Sequence, residues 1–428
     1  MKLSLFGKKL TKKSGILELM EDLGKSFKSK QKVYMLGGGN PAHITDMQKI
    51  YRQNMQQILD NQNQFEALIG NYDIPQGNEE FLNEFAGFLQ KQFGFEVTKD
   101  NIAVTNGSQS GFFILFNLLA GKMADGKDKK ILFPLVPEYI GYEDQAIADD
   151  MLVSCRPKID IIDRHSYKYR IDFDNLKITD DIAAICLSRP TNPTGNVITD
   201  QEISRLRKIA QQNNIPLIID NAYGAPFPNA LFVDSKLTWD KNTILTMSLS
   251  KCGLPSSRTG IIVADKALIK AISAANAIIS LAVGGFGQAL MGPLLKDGKI
   301  VNICDQIIKP YYLDKSLHSQ QLIKKYFDDS LPYYLHKNEG SFFLWMWFKD
   351  LPITTKELYQ RLKKENVIIV PGHYFFAGIK DQSWRHPFEC IRINYGAAGK
   401  EDFEHAIKII ANQVKKAYYD KVKIQNNR

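Results

Sequence analysis

A chain of 428 residues with 44% hydrophobic and 24% charged side chains has the balance of a folded, water-soluble protein, which excludes a disordered or membrane-embedded chain. Its length exceeds what one hydrophobic core usually serves, so a large domain and a smaller one are expected. The net charge of +9 collects partly at the ends, in Lys8, Lys9, Lys12 and Lys13 and in Lys415, Lys416, Lys421 and Lys423, without any zinc-finger or RNP spacing, so no nucleic-acid partner is expected.

Residues 1–48 show no sheet pattern of their own and are expected to join the smaller domain or cover a cleft. Residues 49–304 form the expected large domain. Within it, short apolar runs at 131–133, 151–155, 183–188, 216–220, 243–248 and 259–264 each end in turn or polar residues and read as strands. Between two of them, residues 199–214 repeat Ile203, Leu206, Ile209 and Ala210 at helical spacing behind a capping threonine. Strands alternating with helices predict an α/β domain on a mostly parallel sheet. Residues 305–428 form the expected smaller α+β domain: a long helical stretch after Pro310, a strand at 341–348, a helix at 354–365, strands at 367–370 and 391–394, and a closing amphipathic helix from 400 to about 418. The five cysteines are scattered without a C-x-x-C pair, and no signal-peptide core or run of about 18 apolar residues occurs, so a cytoplasmic protein without membrane contact is expected.

Chemistry concentrates where the predicted strands end. Residues 248–260 read Ser-Leu-Ser-Lys-Cys-Gly-Leu-Pro-Ser-Ser-Arg-Thr-Gly, which brings Ser248, Ser250, Lys251 and Arg258 into one turn. Hydroxyls and a planar guanidinium suit a phosphate, and a lysine beside them can condense with an aldehyde. Upstream, the apolar run 216–219 delivers Asp220 and then Tyr223 at its C-terminal end, the end at which open α/β sheets bind ligands. A carboxylate there can keep a pyridine nitrogen protonated. Asn192 lies in a turn-rich stretch after another strand, and Gly107, Ser108 and Gln109 precede an apolar helix whose N-terminal N–H groups can hold an anion. Arg392 is the one charged side chain in a β-branched strand, and arginine is seldom buried unless paired. The seven histidines show no ligand spacing, so no metal is assigned.

The order of Gly107-Ser108-Gln109, Asn192-Pro193-Thr194-Gly195, Asp220-x-x-Tyr223, Ser248-x-Ser250-Lys251, Arg258 and Arg392 resembles the fold-type I aminotransferases that depend on pyridoxal 5′-phosphate (PLP), over nearly the whole chain. The stretches 36–41, 71–73, 137–142, 189–199 and 348–356 resemble more closely those members that exchange an amino group between valine and pyruvate. The resemblance implies a covalent link from Lys251 to the cofactor, Asp220 at its ring nitrogen, and Tyr223 with Asn192 at its ring oxygen. Ser108, Gln109, Ser248, Ser250 and Arg258 would hold the phosphate, and Tyr139, or Tyr142 close behind it, would stack on the ring. Tyr72 would reach the phosphate of a second subunit, which implies a homodimer. Gly39, Asn192 and Arg392 would contact the substrate, Arg392 by clamping its carboxylate, while Ile16, Leu17, Leu36 and Tyr139 are candidates for an apolar side-chain pocket. The shared cofactor residues leave open another PLP enzyme, such as a C–S lyase, or a different amino-acid preference. A transcription regulator with an aminotransferase-like domain would need a DNA-binding domain for which no room is expected.

Overall fold

In the computed structural model, which describes residues 2–28, 32–381 and 383–426, the apolar runs of the first two-thirds of the chain assemble into one eight-stranded sheet. Its order is Ile102–Asn106, Thr259–Val263, Thr243–Ser248, Leu217–Asp220, Ile182–Ser188, Asp128–Phe133 and Gly121–Lys122, with Leu152–Ser154 also paired to Asp128–Phe133. The strands from Thr243–Ser248 through Leu152–Ser154 run parallel, while Thr259–Val263 is antiparallel to both of its neighbours. Continuous apolar runs with both faces buried are what a parallel sheet requires, which explains why these strands carry no polar alternation. Helix Asp200–Gln212 starts at a capping box in which Thr199 and Glu202 satisfy each other's backbone N–H groups. Register then places the chemistry. Ser188 lies opposite Asp220, Asp220 opposite Thr246, and Ser248 opposite Gly260, so one edge of the sheet collects the polar strand ends.

A second, six-stranded sheet runs in the order Val370–Pro371, Cys390–Asn394, Phe343–Phe348, Tyr333–His336, Ser166–Arg170 and Lys158–Ile161. The last three strands, Tyr333–His336 among them, have no counterpart in the sequence reading. Lys158–Ile161 is largely exposed, and Ser166–Arg170 mixes lysine and arginine with tyrosines, so neither shows an apolar run. Their pairing is long-range, with Leu335 opposite Ser166. The expected strand at 367–370 is two short ones, Val367–Ile368 and Val370–Pro371; the former pairs in parallel with Tyr34–Met35. The helical stretch begins before Pro310, at Lys299–Ile303, and Pro310 sits in the first turn of Lys309–Tyr326, where a missing N–H costs little.

A buried ion pair ties the second sheet to the loop that carries Asn192. Lys168 and Glu339 bond each other, Lys168 Nζ donates to the Val197 carbonyl at 3.1 Å, and the Val197 N–H donates to Glu339 at 3.0 Å. Among the described residues no helix is long and apolar enough to cross a membrane.

Candidate active site

The polar edge of the large sheet opens onto a cavity of about 790 Å³ whose lining includes Gln109, Tyr139, Lys251 and Arg258. Lys251 follows the strand Thr243–Ser248 in a short 3-10 turn that Ser248 caps by accepting the Ser250 N–H. Its Nζ donates to the carbonyl of Gly39 at 2.8 Å and stands 5.4 Å from the centre of the Tyr223 ring. Burial pushes the Lys251 ammonium down to about 8; the positive Arg392 and Arg258 act in the same direction, and the negative charge of Asp220 opposes them.

An anion cradle lies beside the lysine. Gly107, with φ of +85°, precedes helix Ser108–Leu119, and a Cβ there would fall 2.1 Å from Arg258 Nη2, so only glycine lets the guanidinium lie across the helix entrance. Behind it, a Cβ at Gly260 would fall 2.4 Å from the Ser108 backbone nitrogen. Arg258 also donates to the Ser250 hydroxyl at 3.4 Å. Backbone N–H groups at a helix N-terminus, a guanidinium and hydroxyls form a donor set suited to a phosphate.

Asp220 is buried, and burial pushes its carboxyl above the ordinary range against the donors it receives. The Tyr142 hydroxyl donates to its Oδ2 at 2.6 Å and the Ala222 N–H to its Oδ1 at 3.0 Å. Tyr142 therefore lies against Asp220, packed on Phe133, whereas Tyr139 lines the cavity edge-on to Tyr142. The Tyr223 hydroxyl is buried without a hydrogen-bond partner among the described residues. Arg392, 1% exposed, donates to Asn192 Oδ1 at 2.8 Å and to the Gly37 carbonyl at 2.6 Å, lies over the Phe343 ring at 4.2 Å, and keeps a buried Nε unpartnered.

Lys251, Gly39 and Tyr223 thus form one group, Arg392 with Asn192 another, and Ser108, Ser248, Ser250 and Arg258 a third. Tyr72 is separate from all three: it is 84% exposed after helix Gln62–Gly70 and does not line the cavity. Of the pocket candidates, Ile16 and Tyr139 line the cavity, whereas Leu17, half-exposed, and Leu36, fully buried, do not. Met20 lines it too, brought there by a helix, Gly15–Lys28, whose Asp22 accepts from the Tyr359 hydroxyl at 2.5 Å and whose Glu18 accepts from the Tyr374 hydroxyl at 2.7 Å. Sequence reasoning missed Met20 and the partner of Asp220, Tyr142. The tyrosine spacing at 139 and 142 was the available signal, but which one meets Asp220 depends on the order of the strands.

The pattern of the family described as Aminotransferase class I and II matches residues 33–410. The chain belongs to that family. It is 48% identical over 418 residues to the valine–pyruvate aminotransferase of Escherichia coli K12, covering 98% of this chain and 99% of that protein. A solved valine–pyruvate aminotransferase from Salmonella typhimurium LT2 superposes with a TM-score of 0.86 at 46% identity, covering 94% of this chain and 99% of that one. A solved chain from Psychrobacter arcticum 273-4 reaches 0.94 at 44% identity, over 98% and 99%. The family is PLP-dependent, and the expected α/β fold with a mostly parallel central sheet is the one observed. As an aminotransferase, the chain acts on amino acids and 2-oxo acids.

Proposed function

We propose that this aminotransferase uses PLP to move an amino group between valine and pyruvate, giving 2-oxoisovalerate and alanine, and that it works as a cytoplasmic homodimer. The observation that carries the cofactor is Lys251: an amine of lowered proton affinity, buried in a cavity beside an anion cradle and electrostatically coupled to Asp220. The unpartnered Tyr223 hydroxyl and the buried carboxyl of Asp220 fit a pyridine ring that carries an oxygen and a basic nitrogen. The substrates rest on the named relatives and on the charges present: Arg392 is a carboxylate partner for an amino acid, and the other arginine that shifts Lys251, Arg258, belongs to the anion cradle.

PLP, when bound, supplies an aldehyde that captures amines and a ring that accepts electrons. The protein does the rest. Arg392 and Asn192 would orient the substrate carboxylate, Arg258 with Ser108, Gln109, Ser248 and Ser250 would anchor the phosphate, and Tyr139 would cover the ring. Asp220 would hold a proton at the ring nitrogen, and Tyr223 with Asn192 would donate toward the ring oxygen. Lys251 Nζ would take the proton from the substrate Cα as a base and give it back as an acid. The Gly39 carbonyl offers Nζ an acceptor while it is free.

Residues 49–304 serve in this proposal as the cofactor-binding domain and 305–428 as the smaller domain, with 1–48 covering the cleft, as the placement of Ile16 and Met20 supports. Exposed Tyr72 is offered to a second subunit, and five free cysteines suit a reducing compartment. The test is kcat/KM for alanine, 2-aminobutyrate, valine, glutamate and aspartate as donors. The three aliphatic donors should all serve, within the ~1–3 kcal/mol that a methylene is worth, with the two acids poor. A clear preference for glutamate or aspartate refutes the substrate assignment and leaves PLP intact.

A further inference from the structure

Tyr142 sits in a nest of rings. Phe133 stacks on it at 5.5 Å and 11°, Phe112 tilts against it at 4.8 Å, Phe116 lies at 5.7 Å, and Tyr139 meets it edge-on at 5.3 Å. Packing of that kind asks only for a phenyl ring. A hydroxyl buried among phenylalanines is a cost unless it is bonded, so phenylalanine would serve the core as well or better. The hydroxyl is bonded, to Asp220 Oδ2 at 2.6 Å, a length typical of a donor meeting an ionised acceptor. The other donor to this carboxyl, the Ala222 N–H, comes from two residues along the same chain segment. Tyr142 thus reaches Asp220 with a short hydrogen bond from a separate element, while the Thr246 hydroxyl on the adjacent strand faces the same carboxyl without a formed bond.

We propose that Tyr142 is a positioning residue for transamination: its hydroxyl fixes the rotamer of Asp220 and keeps that carboxyl ionised inside the protein, so that it presents a negative charge to the cofactor ring. The inference rests on the PLP reading above for its consequence, but the hydrogen bond and its effect on Asp220 belong to the protein alone. The surroundings explain why such help is needed. Burial opposes the charge on Asp220, and the carboxyl of Glu138, itself pushed up by burial, faces it, as do the buried Cys186, Tyr139 and Tyr223. Lys251 is the cation that favours ionisation from the cavity side, and it must lose its own proton to react. When it does, the Tyr142 hydroxyl and the Ala222 N–H are the bonded donors that remain, with the Thr246 hydroxyl the further polar group facing the carboxyl. Tyr142 itself is held strongly in its protonated form by burial and by Asp220, so it remains a donor at any working pH.

The test is made first on the PLP-free protein, labelled with ¹³C at aspartate carboxyls, with the Asp220 resonance assigned by its loss in Asp220→Asn. Tyr142→Phe, which keeps the ring nest, should raise the Asp220 titration midpoint by about 1 to 2 units, the size expected when a charged acceptor loses one hydrogen bond. Site-specific 3-fluorotyrosine at 142, which keeps the ring and strengthens the donor, should lower it. In the PLP-loaded enzyme, the acid limb of the kcat profile for Tyr142→Phe should move upward with the same sign while KM for valine stays put. An Asp220 midpoint that is the same in wild type and both variants overturns the proposal. Failure of the wild type to bind PLP at all would instead strike the cofactor reading, and the titration result would stand apart from it.

Discussion

Lys251 offers the sharpest quantitative expectation. An ordinary lysine titrates near 10.5, and this one is held at about 8, a difference of roughly 2.5 units that makes neutral amine about 300-fold more abundant at pH 7 than on an exposed lysine. About one molecule in ten should carry the free amine at pH 7, and about half at pH 8. The perturbation is pH itself, together with Arg392→Met, which removes the larger of the two cationic contributions and should shift the Lys251 midpoint upward. Competitive acetylation across pH 6 to 11, read by peptide mass spectrometry at Lys251 against the exposed lysines of the same digest, reports the midpoint without any cofactor. A wild-type midpoint near that of the exposed lysines, or no upward shift in Arg392→Met, refutes the electrostatic account. The sign for stability follows. Because the folded-state value lies below the unfolded one, the folded protein pays to keep this proton below pH 8, and that penalty fades as pH rises from about 8 toward 10.5.

Lys251→Ala should abolish transamination and the borohydride-stable attachment of PLP, and covalent cofactor recovered on a different lysine would contradict the assignment. Asp220→Ala should lower kcat far more than it lowers PLP retention, since the anion cradle of Gly107, Ser108 and Arg258 remains; near-normal turnover with PLP bound would remove Asp220 from the ring nitrogen. Replacing Lys168 by Met takes the buried cation from the Glu339 carboxylate and leaves it Lys337 at 3.2 Å and the Val197 N–H, so urea unfolding should show a loss of about 1–3 kcal/mol. An unchanged urea midpoint would show that the pair does not tie the Asn192 loop to the second sheet as its contacts imply.

What could be read from the chain beforehand follows from locality. Strands such as Leu217–Asp220 and Thr243–Ser248 are legible because a strand buried on both faces must be a short apolar run, and the capping box before Asp200–Gln212 marks a helix entrance by itself. The strand Ser166–Arg170 is not legible: its Lys168 is buried only because Glu339 arrives from 171 residues away, and nothing near it in sequence announces that partner. Tyr142 illustrates the same limit within the site. Its distance from Asp220 is set by which strands are neighbours, and the parallel pairing of Asp128–Phe133 with Ile182–Ser188 and of that strand with Leu217–Asp220 is a property of the whole sheet. The role of Met20 is hidden likewise, because it depends on Asp22 and Glu18 meeting Tyr359 and Tyr374 more than 300 residues later.

Three successive glycine carbonyls, those of Gly37, Gly38 and Gly39, receive Arg392, Asn394 and Lys251 respectively. The seats for these groups are therefore main chain, and no side-chain replacement elsewhere in the cavity deletes them. On the proposed reading, redesign of donor preference would have a separate set of parts to alter, Ile16 and Met20 on the helix Gly15–Lys28. On the proposed reading, recognition of the side chain would rest on residue identity and retention of the reacting amine on the path of the backbone, so a change in the first would leave the second in place.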